Sequence, residues 1–346
     1  MPGDGERGLG SAERLRPTGR STRPYIACRH LGLHFMQAKT PSCCYGPVSF
    51  VRSHKRPARR VRSSFPGRSF MNTLGALSLT RHDRWVELFS DVGWLLNHHF
   101  IKKTHREAFI RGLQLPPVCD VLDVACGIGA WTHLFSNVYS SAKIVGIDRS
   151  QSTIAYANST YRGAPNAPQF QVSDARTLPF PDGSFDCVFS ANCIGYFDDL
   201  SAVLLELRRV IKPGGRLILR QYDDSAITIQ PCDPGLLHKS IAAAYNYELS
   251  TGPNRNFLGS LLSELTVHMH ASQRCFSVET ILIPAPFTAH EQRYIVENLT
   301  YLAWRAQPLL SEMECRKWEE FLDTEHFAKT TSGFYMMSDF VAQLTI

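Results

Sequence analysis

Between Val121 and Trp131 the chain reads VLDVACGIGAW, and no other stretch narrows its fold as much. An apolar run closes on a carboxylate, Asp123, and two glycines follow, Gly127 and Gly129, separated by one residue. The run has the character of a buried strand. A G-x-G turn behind it lets backbone N–H groups approach a ligand with no Cβ in the way. A helix through AWTHLFSNVY should come next.

The same alternation continues. AKIVGID, APQFQVSD, FDCVFSANC and GRLILRQY read as four further strands. The helices SQSTIAYANSTYR and LSAVLLELRRVI lie between them, and the second ends at KPGG. Strands separated by helices and short loops specify a parallel sheet covered on both faces. After Asp224 the alternation loosens. DPGLLHKSIAAAYNYEL and NFLGSLLSELTVHM read as helices and CFSVETILI as a strand. Helices around EQRYIVENLTYLAWRA and LSEMECRKWEEFLDT precede a last strand in FYMMSDFVAQLTI. The expectation is an α/β, Rossmann-like, doubly wound, mostly parallel seven-stranded sheet, with a helical cap inserted near the C-terminus. Ahead of it, Trp85, Leu88, Phe89, Val92, Leu95, Leu96 and Phe100 recur at helical spacing, and a separate helix is expected through THREAFIRGL. The domain reading is a basic extension over 1–70, N-terminal helices over 71–116, a ligand-binding core over 117–225, and the rest of the sheet with its cap over 226–346.

Charge divides the chain the same way. Residues 1–70 carry 14 basic residues against 3 acidic ones, +11, while the whole chain is +6, which leaves −5 for the remainder. A mildly acidic body gives no charge argument for a nucleic-acid partner. The basic stretch VRSHKRPARRVRSSFPGRSF admits three readings: a disordered extension translated upstream of a start at Met71, a transit peptide, or a short basic import patch. Localisation is expected to be cytoplasmic, or mitochondrial if residues 1–70 are a transit peptide. No apolar run approaches the ~20 residues of a membrane span. The ten cysteines form no C-x-x-C pair, and the adjacent His98 and His99 leave a helix in different directions, with His105 further on. No metal site is expected.

Two ligand classes use a strand–glycine–helix turn. A dinucleotide loop would carry a third glycine where this chain has Thr132, and Asp123 would repel a pyrophosphate. A carboxylate there suits a cofactor bearing an ammonium or sulfonium. Asp148 closes the second strand, where a carboxylate can accept from both hydroxyls of a ribose. Asp174, followed by Ala175, closes the third, placed to accept from an adenine amino group. One such acid could be a helix cap; three at successive strand ends are harder to assign to capping alone.

With these residues the chain resembles the class I methyltransferases that use S-adenosyl-L-methionine (SAM), in the branch holding ubiquinone, menaquinone and natural-product methyltransferases. The resemblance rests on VLDVACGIG, VGIDRS, VSDARTLPFPDGSFDCVFSANCIGYF and ELRRVIKPGGRLIL, and runs from about Pro117 to Gln221. It implies that Ala125, Cys126, Gly127 and Gly129 lie against the methionine portion of SAM, with Asp123 supporting its ammonium. It implies Asp148 on the ribose hydroxyls, Arg149 beside the adenine, Asp174 and Ala175 on the adenine edge, and the backbone near Asn192 on the methionine group. NCIGYFDD lacks the histidine-containing stretch that many members carry there, so the acceptor chemistry is not carried over.

A sulfonium already activates its methyl group, so in-line displacement mainly needs positioning. Hydroxyl acceptors need a base as well, and amines must arrive unprotonated. Tyr196, Asp198 and Asp199 near the fourth strand, and Tyr222, Asp223 and Asp224 near the fifth, are candidates. Asp198 and Asp199 equally suit a helix cap, and Asp223 and Asp224 a loop. Tyr196, with His99 from the segment before the sheet, is the catalytic expectation. The partner is a small-molecule methyl acceptor at oxygen, nitrogen or carbon. A SAM-binding subunit without catalysis, a nicotinamide oxidoreductase and a nucleic-acid methyltransferase are the alternatives.

Overall fold

A computed structural model describes residues 89–163, 166–251, 265, 268–323, 327 and 329–346, all within the compact unit Ser63–Ile346. The readings for residues 1–70, for Trp85 and Leu88, and for most of NFLGSLLSELTVHM lie outside the described residues.

The first helix, α1 (Val92–Gly112), starts where Asp91 Oδ1 accepts from the Trp94 amide at 2.9 Å. Two separate helices were expected here, but α1 runs unbroken for 21 residues. Its buried stripe explains the difference. Trp94, His98, Lys102 and Arg106 recur every four residues, followed by Phe109 and Ile110. The middle of that stripe is polar, so a search for apolar period loses the helix where the structure continues it.

The remaining elements are β1 (Asp120–Val124), α2 (Ala130–Val138), β2 (Lys143–Asp148), α3 (Gln151–Tyr161), β3 (Gln169–Val172), β4 (Phe185–Ala191), α4 (Leu200–Val210), β5 (Ile211–Gln230), α5 (Pro234–Thr251), β6 (Gln273–Pro284), α6 (Ala289–Ala306), α7 (Glu312–Phe321) and β7 (Phe334–Thr345). They form one seven-stranded sheet in the order β3-β2-β1-β4-β5-β7-β6. Neighbours from β3 to β5 are parallel, and β7 runs antiparallel to both β5 and β6. The expected mostly parallel sheet of seven strands is therefore the observed one.

Strand alternation separates the two faces of the sheet. Leu122, Val124, Val188, Leu217 and Leu219 pack with Leu204 and Leu207 of α4. On the opposite face Val121, Cys187, Phe189 and Ile218 pack with Phe109 and Ile110 of α1 and with Trp131 and Phe135 of α2. A third cluster joins Ile227, Ile229, Ile281, Ile283 and Met337 to Tyr294, Ile295 and Leu299 of α6. The fifth strand outruns its expected end at Tyr222 and continues to Gln230, with a bulge between Asp223 and Thr228. Asp223 and Asp224 belong to this strand and not to a loop, because β7 supplies pairing on both sides of the bulge.

Candidate active site

Strand order reverses at β1, since β2 and β3 lie to one side of it and β4 and β5 to the other. Open α/β sheets bind ligands at such a point, outside the carboxyl ends of the strands. A cavity of about 280 Å³ lies there. The glycine loop, the ends of β2, β4 and β5, and residues of α1 and α6 line it.

The loop is held in left-handed backbone: Ala125 has φ 58°, Gly127 φ 55° and Gly129 φ 75°. For Ala125 that conformation is a strain that the surrounding contacts must hold in place. One such contact joins the Cys126 amide to the Ile147 carbonyl at 2.9 Å. Asp148 supplies the other. Its Oδ2 accepts from the Gly127 amide at 2.8 Å and its Oδ1 from the Ser150 amide at 2.8 Å, so one carboxylate fixes loop and helix start together. Ala125, Cys126, Gly127, Asp148 and Arg149 all line the cavity, as do Asp174, Ala175 and Asn192. Arg176 hydrogen-bonds the Asp174 carboxylate and holds it down at about 2. Asn192 is left-handed at φ 56°, and its Oδ1 accepts from the Tyr222 amide at 2.8 Å, tying the end of β4 to β5.

Three residues stand elsewhere than expected. Asp123 is 1% exposed and does not line the cavity. It sits behind the loop, on the sheet face that meets α2, where the Thr132 hydroxyl donates to its Oδ2 at 2.6 Å. The residue in place of a third glycine thus serves a buried carboxylate, and burial pushes that carboxyl up to about 7. Gly129 also turns away from the cavity. A Cβ on it would stand 2.5 Å from Cε1 of Phe170, so its bareness serves packing against β3. His99 does not line the cavity either, whereas its neighbour His98 does. Helical rotation separates the two.

Arg106 settles the state of both histidines. Its Nη1 lies 3.1 Å from His99 Nδ1 and its Nη2 3.3 Å from His98 Nδ1. A guanidinium only donates, so both Nδ1 atoms accept and both rings are neutral with hydrogen on Nε2. Burial, with Lys102 and Arg106 nearby, holds His98 well below its ordinary range, and burial with Arg106 brings His99 to about 4. With both Nδ1 lone pairs taken by Arg106 and hydrogen on Nε2, neither ring has a free lone pair to accept a proton. His98 can donate from Nε2. Tyr196, in the 3-10 turn Ile194–Tyr196, does line the cavity. Burial pushes its phenol well above the ordinary range, so it stays protonated and can donate.

Sequence reasoning missed Arg106 and Trp94, and did not pair Asp224 with Arg305. Arg106 is 5% exposed, lines the cavity and stacks its guanidinium 4.9 Å from the Trp131 ring centroid. No carboxylate among the described residues pairs with it within 4.0 Å, and its Nε has no hydrogen-bond partner there. Asp224, 2% exposed, faces the cavity and is paired through Oδ2 to Arg305 Nη2 at 2.6 Å. The four-residue recurrence of polar residues in α1 was the one signal that could have found Arg106.

These residues fit SAM. Asp148 on the rim suits ribose hydroxyls, and Asp174 with the Ala175 amide suits an adenine edge. The unpaired buried guanidinium of Arg106 suits a carboxylate. Among the described residues no helix is long and apolar enough to cross a membrane, and no group of His, Cys, Asp or Glu is placed to hold a metal ion.

Residues 122–219 match the family model described as a methyltransferase domain. Phosphoethanolamine N-methyltransferase 1 of Arabidopsis thaliana is 32% identical over 33% of this chain and 23% of its own length. The 2-methyl-6-phytyl-1,4-hydroquinone methyltransferase of Synechocystis sp. is 37% identical over 33% of this chain and 36% of its own. The chain spans less than half the length of these curated relatives. A putative methyltransferase from Bacillus halodurans superposes on 69% of this chain and 97% of its own at TM-score 0.44 and 16% identity, too loosely to transfer any residue role. Family match and strand order together define the stretch from Leu122 to Leu219 as a class I methyltransferase domain.

Proposed function

We propose that the chain transfers the methyl group of SAM to a small-molecule acceptor bound between α1, α6 and the ends of β4 and β5. The observation that carries this is Asp148, a carboxylate on the cavity rim locked to the glycine loop through the Gly127 amide. It presents acceptor oxygens for ribose hydroxyls at the edge of a tight glycine turn, the combination that an adenosine with an aminoacyl tail requires. SAM, when bound, supplies a methyl group activated by its sulfonium. The chain's own residues bind and orient. Asp148 and Asp174 take the adenosine, and Arg106 the carboxylate. His98 and Tyr196 donate hydrogen bonds toward the acceptor. The aromatic walls, Trp94 and Tyr301 among them, exclude water.

Calorimetric titration of the full chain with S-adenosylhomocysteine, and separately with NADH, tests the reading. Binding of the first alone is expected. Asp148→Ala should weaken it roughly 10- to 100-fold, the loss of about 1.5–3 kcal/mol for hydrogen bonds to a charged group. Binding of NADH alone, or of neither by a folded chain, would overturn it.

A further inference from the structure

Resting on that methyltransferase reading, we propose that Trp94 and His98 of α1 form a carboxylate site in the cavity, and that the methyl acceptor is a small carboxylic acid bound there as its anion. Trp94 is 8% exposed and lines the cavity, yet its Nε1–H has no hydrogen-bond partner among the described residues. An indole only donates, so this buried N–H calls for an acceptor from a ligand. The next turn of α1 supplies a second donor. His98 is also buried, lines the cavity and stacks on the Trp94 ring with centroids 4.8 Å apart. Because its Nδ1 accepts from Arg106, its Nε2 carries hydrogen. These two side chains offer N–H groups and no acceptor. A ligand that brings its own donors finds no partner for them here, whereas a carboxylate brings only acceptors.

The surrounding charge agrees. His98 feels three cations, Lys102, Arg106 and Arg220, all of them buried. Asp339 lies 3.7 Å from Lys102 and 2.8 Å from Arg220, and the partly exposed Glu279 also pairs with Arg220. Arg106 has no carboxylate within 4.0 Å among the described residues. Asp123, behind the loop, is pushed up to about 7 by burial, so it supplies only part of a counter-charge. The field that keeps His98 neutral therefore stabilises a negative charge set beside it. Asp224 faces the same cavity, but Arg305 stands 2.6 Å from it and offsets its charge.

The walls suit what lies behind the carboxylate. The rings of Phe89, Tyr196 and Tyr301 line the cavity and favour an apolar body. The competing occupant is the cofactor's own carboxylate. Arg106 offers that group a full charge, which leaves the neutral donors of Trp94 and His98 for a second anion.

The test titrates the full chain near neutral pH with benzoate, benzyl alcohol and benzylamine, each with and without saturating S-adenosylhomocysteine. Benzoate should bind at least ~10-fold more tightly than either other probe in both states, as hydrogen bonds to a charged group allow. Trp94→Phe keeps an aromatic ring and removes the N–H. It should weaken benzoate ~10-fold, while benzyl alcohol and S-adenosylhomocysteine change by less than about twofold. Equal or tighter binding of benzyl alcohol or benzylamine overturns the proposal. So does an absence of benzoate binding, or a preference undiminished in folded Trp94→Phe. Benzoate binding that saturating S-adenosylhomocysteine abolishes overturns it too, because the donors would then serve the cofactor's carboxylate. Should the variant not fold, the three-probe comparison on the unaltered chain decides alone. Failure to bind S-adenosylhomocysteine would sink the cofactor reading, while the benzoate titration of the ligand-free chain still reports on Trp94.

Discussion

The two ends of the cavity are assembled on different scales. At the glycine-loop end, partners are close in sequence: Thr132 and Asp123 are 9 residues apart, Gly127 and Asp148 only 21. At the Asp224 end Arg305 reaches across 81 residues; outside the cavity, Arg220 of the same strand, stacked on Trp131, pairs with Asp339 across 119. Backbone donors carry much of the first end. Full charges taken out of water carry the second, and each is tolerable only while its partner is present. Damage at the loop should therefore appear as strain or lost ligand affinity, and damage at the far end as lost stability.

The largest effect should come from Arg305→Met, which leaves the buried carboxylate of Asp224 without its counter-charge. Urea unfolding should show a loss of about 3–5 kcal/mol. Adding Asp224→Asn to that variant should recover part of it, because the orphaned charge is gone. A single-variant loss below ~1 kcal/mol would mean that water reaches this pair, and the contrast between the ends would fall.

Asp123 is the exception that sharpens the comparison, a lone carboxylate buried at the loop end. Its folded value of about 7 lies above the ordinary ~3.9, so the folded chain holds the proton more tightly than the unfolded chain. The stability this contributes is present below about pH 4 and is lost as pH rises toward about 7. Asp123→Asn keeps an oxygen for the Thr132 hydroxyl. It should match the parent near pH 4 and exceed it above pH 7, by at most about 4 kcal/mol. Urea midpoints at the two pH values check this. A variant less stable at neutral pH would show that the nearby Arg106 charge outweighs burial.

Gly129→Ala should cost about 2 kcal/mol, from left-handed backbone and a Cβ driven against Phe170. Affinity for S-adenosylhomocysteine should stay within a few-fold in the folded variant, since the residue does not face the cavity. A large affinity loss at unchanged stability would return Gly129 to the binding surface.

What was legible in the sequence follows the same division. The loop end could be read because its parts lie in one ordered stretch: Asp148 must close a strand to reach Gly127, and apolar runs mark that strand. Element order and sheet composition were legible for the same reason. The roles of Asp123, Gly129 and His99 were not, because spacing does not tell which way a residue faces once the turn closes. Asp123 shares a strand with Leu122, and alternation alone sends the two to opposite faces. The Asp224–Arg305 pair was illegible for another reason. Neither residue carries a local signal, and a pairing of 81 residues' separation exists only after α6 has packed onto the sheet.

That dependence on α6 supplies the smallest effect. Thr288 and Glu291 form a capping box at its start: the Thr288 hydroxyl accepts from the Glu291 amide, and Glu291 Oε2 accepts from the Thr288 amide at 2.7 Å. Thr288→Ala should cost about 1 kcal/mol. The residues that meet the cavity or its ion pair, Asn298, Tyr301 and Arg305, begin more than two turns further on. They are held by the packing of Ile295, Leu299 and Leu302 and not by the cap. Affinity for S-adenosylhomocysteine should therefore survive Thr288→Ala unchanged, as titration of the variant would show. Its loss would mean that the whole helix shifts when its first turn frays. The far end of the cavity would then rest on the position of α6 as a lever, more than on the buried ion pair itself.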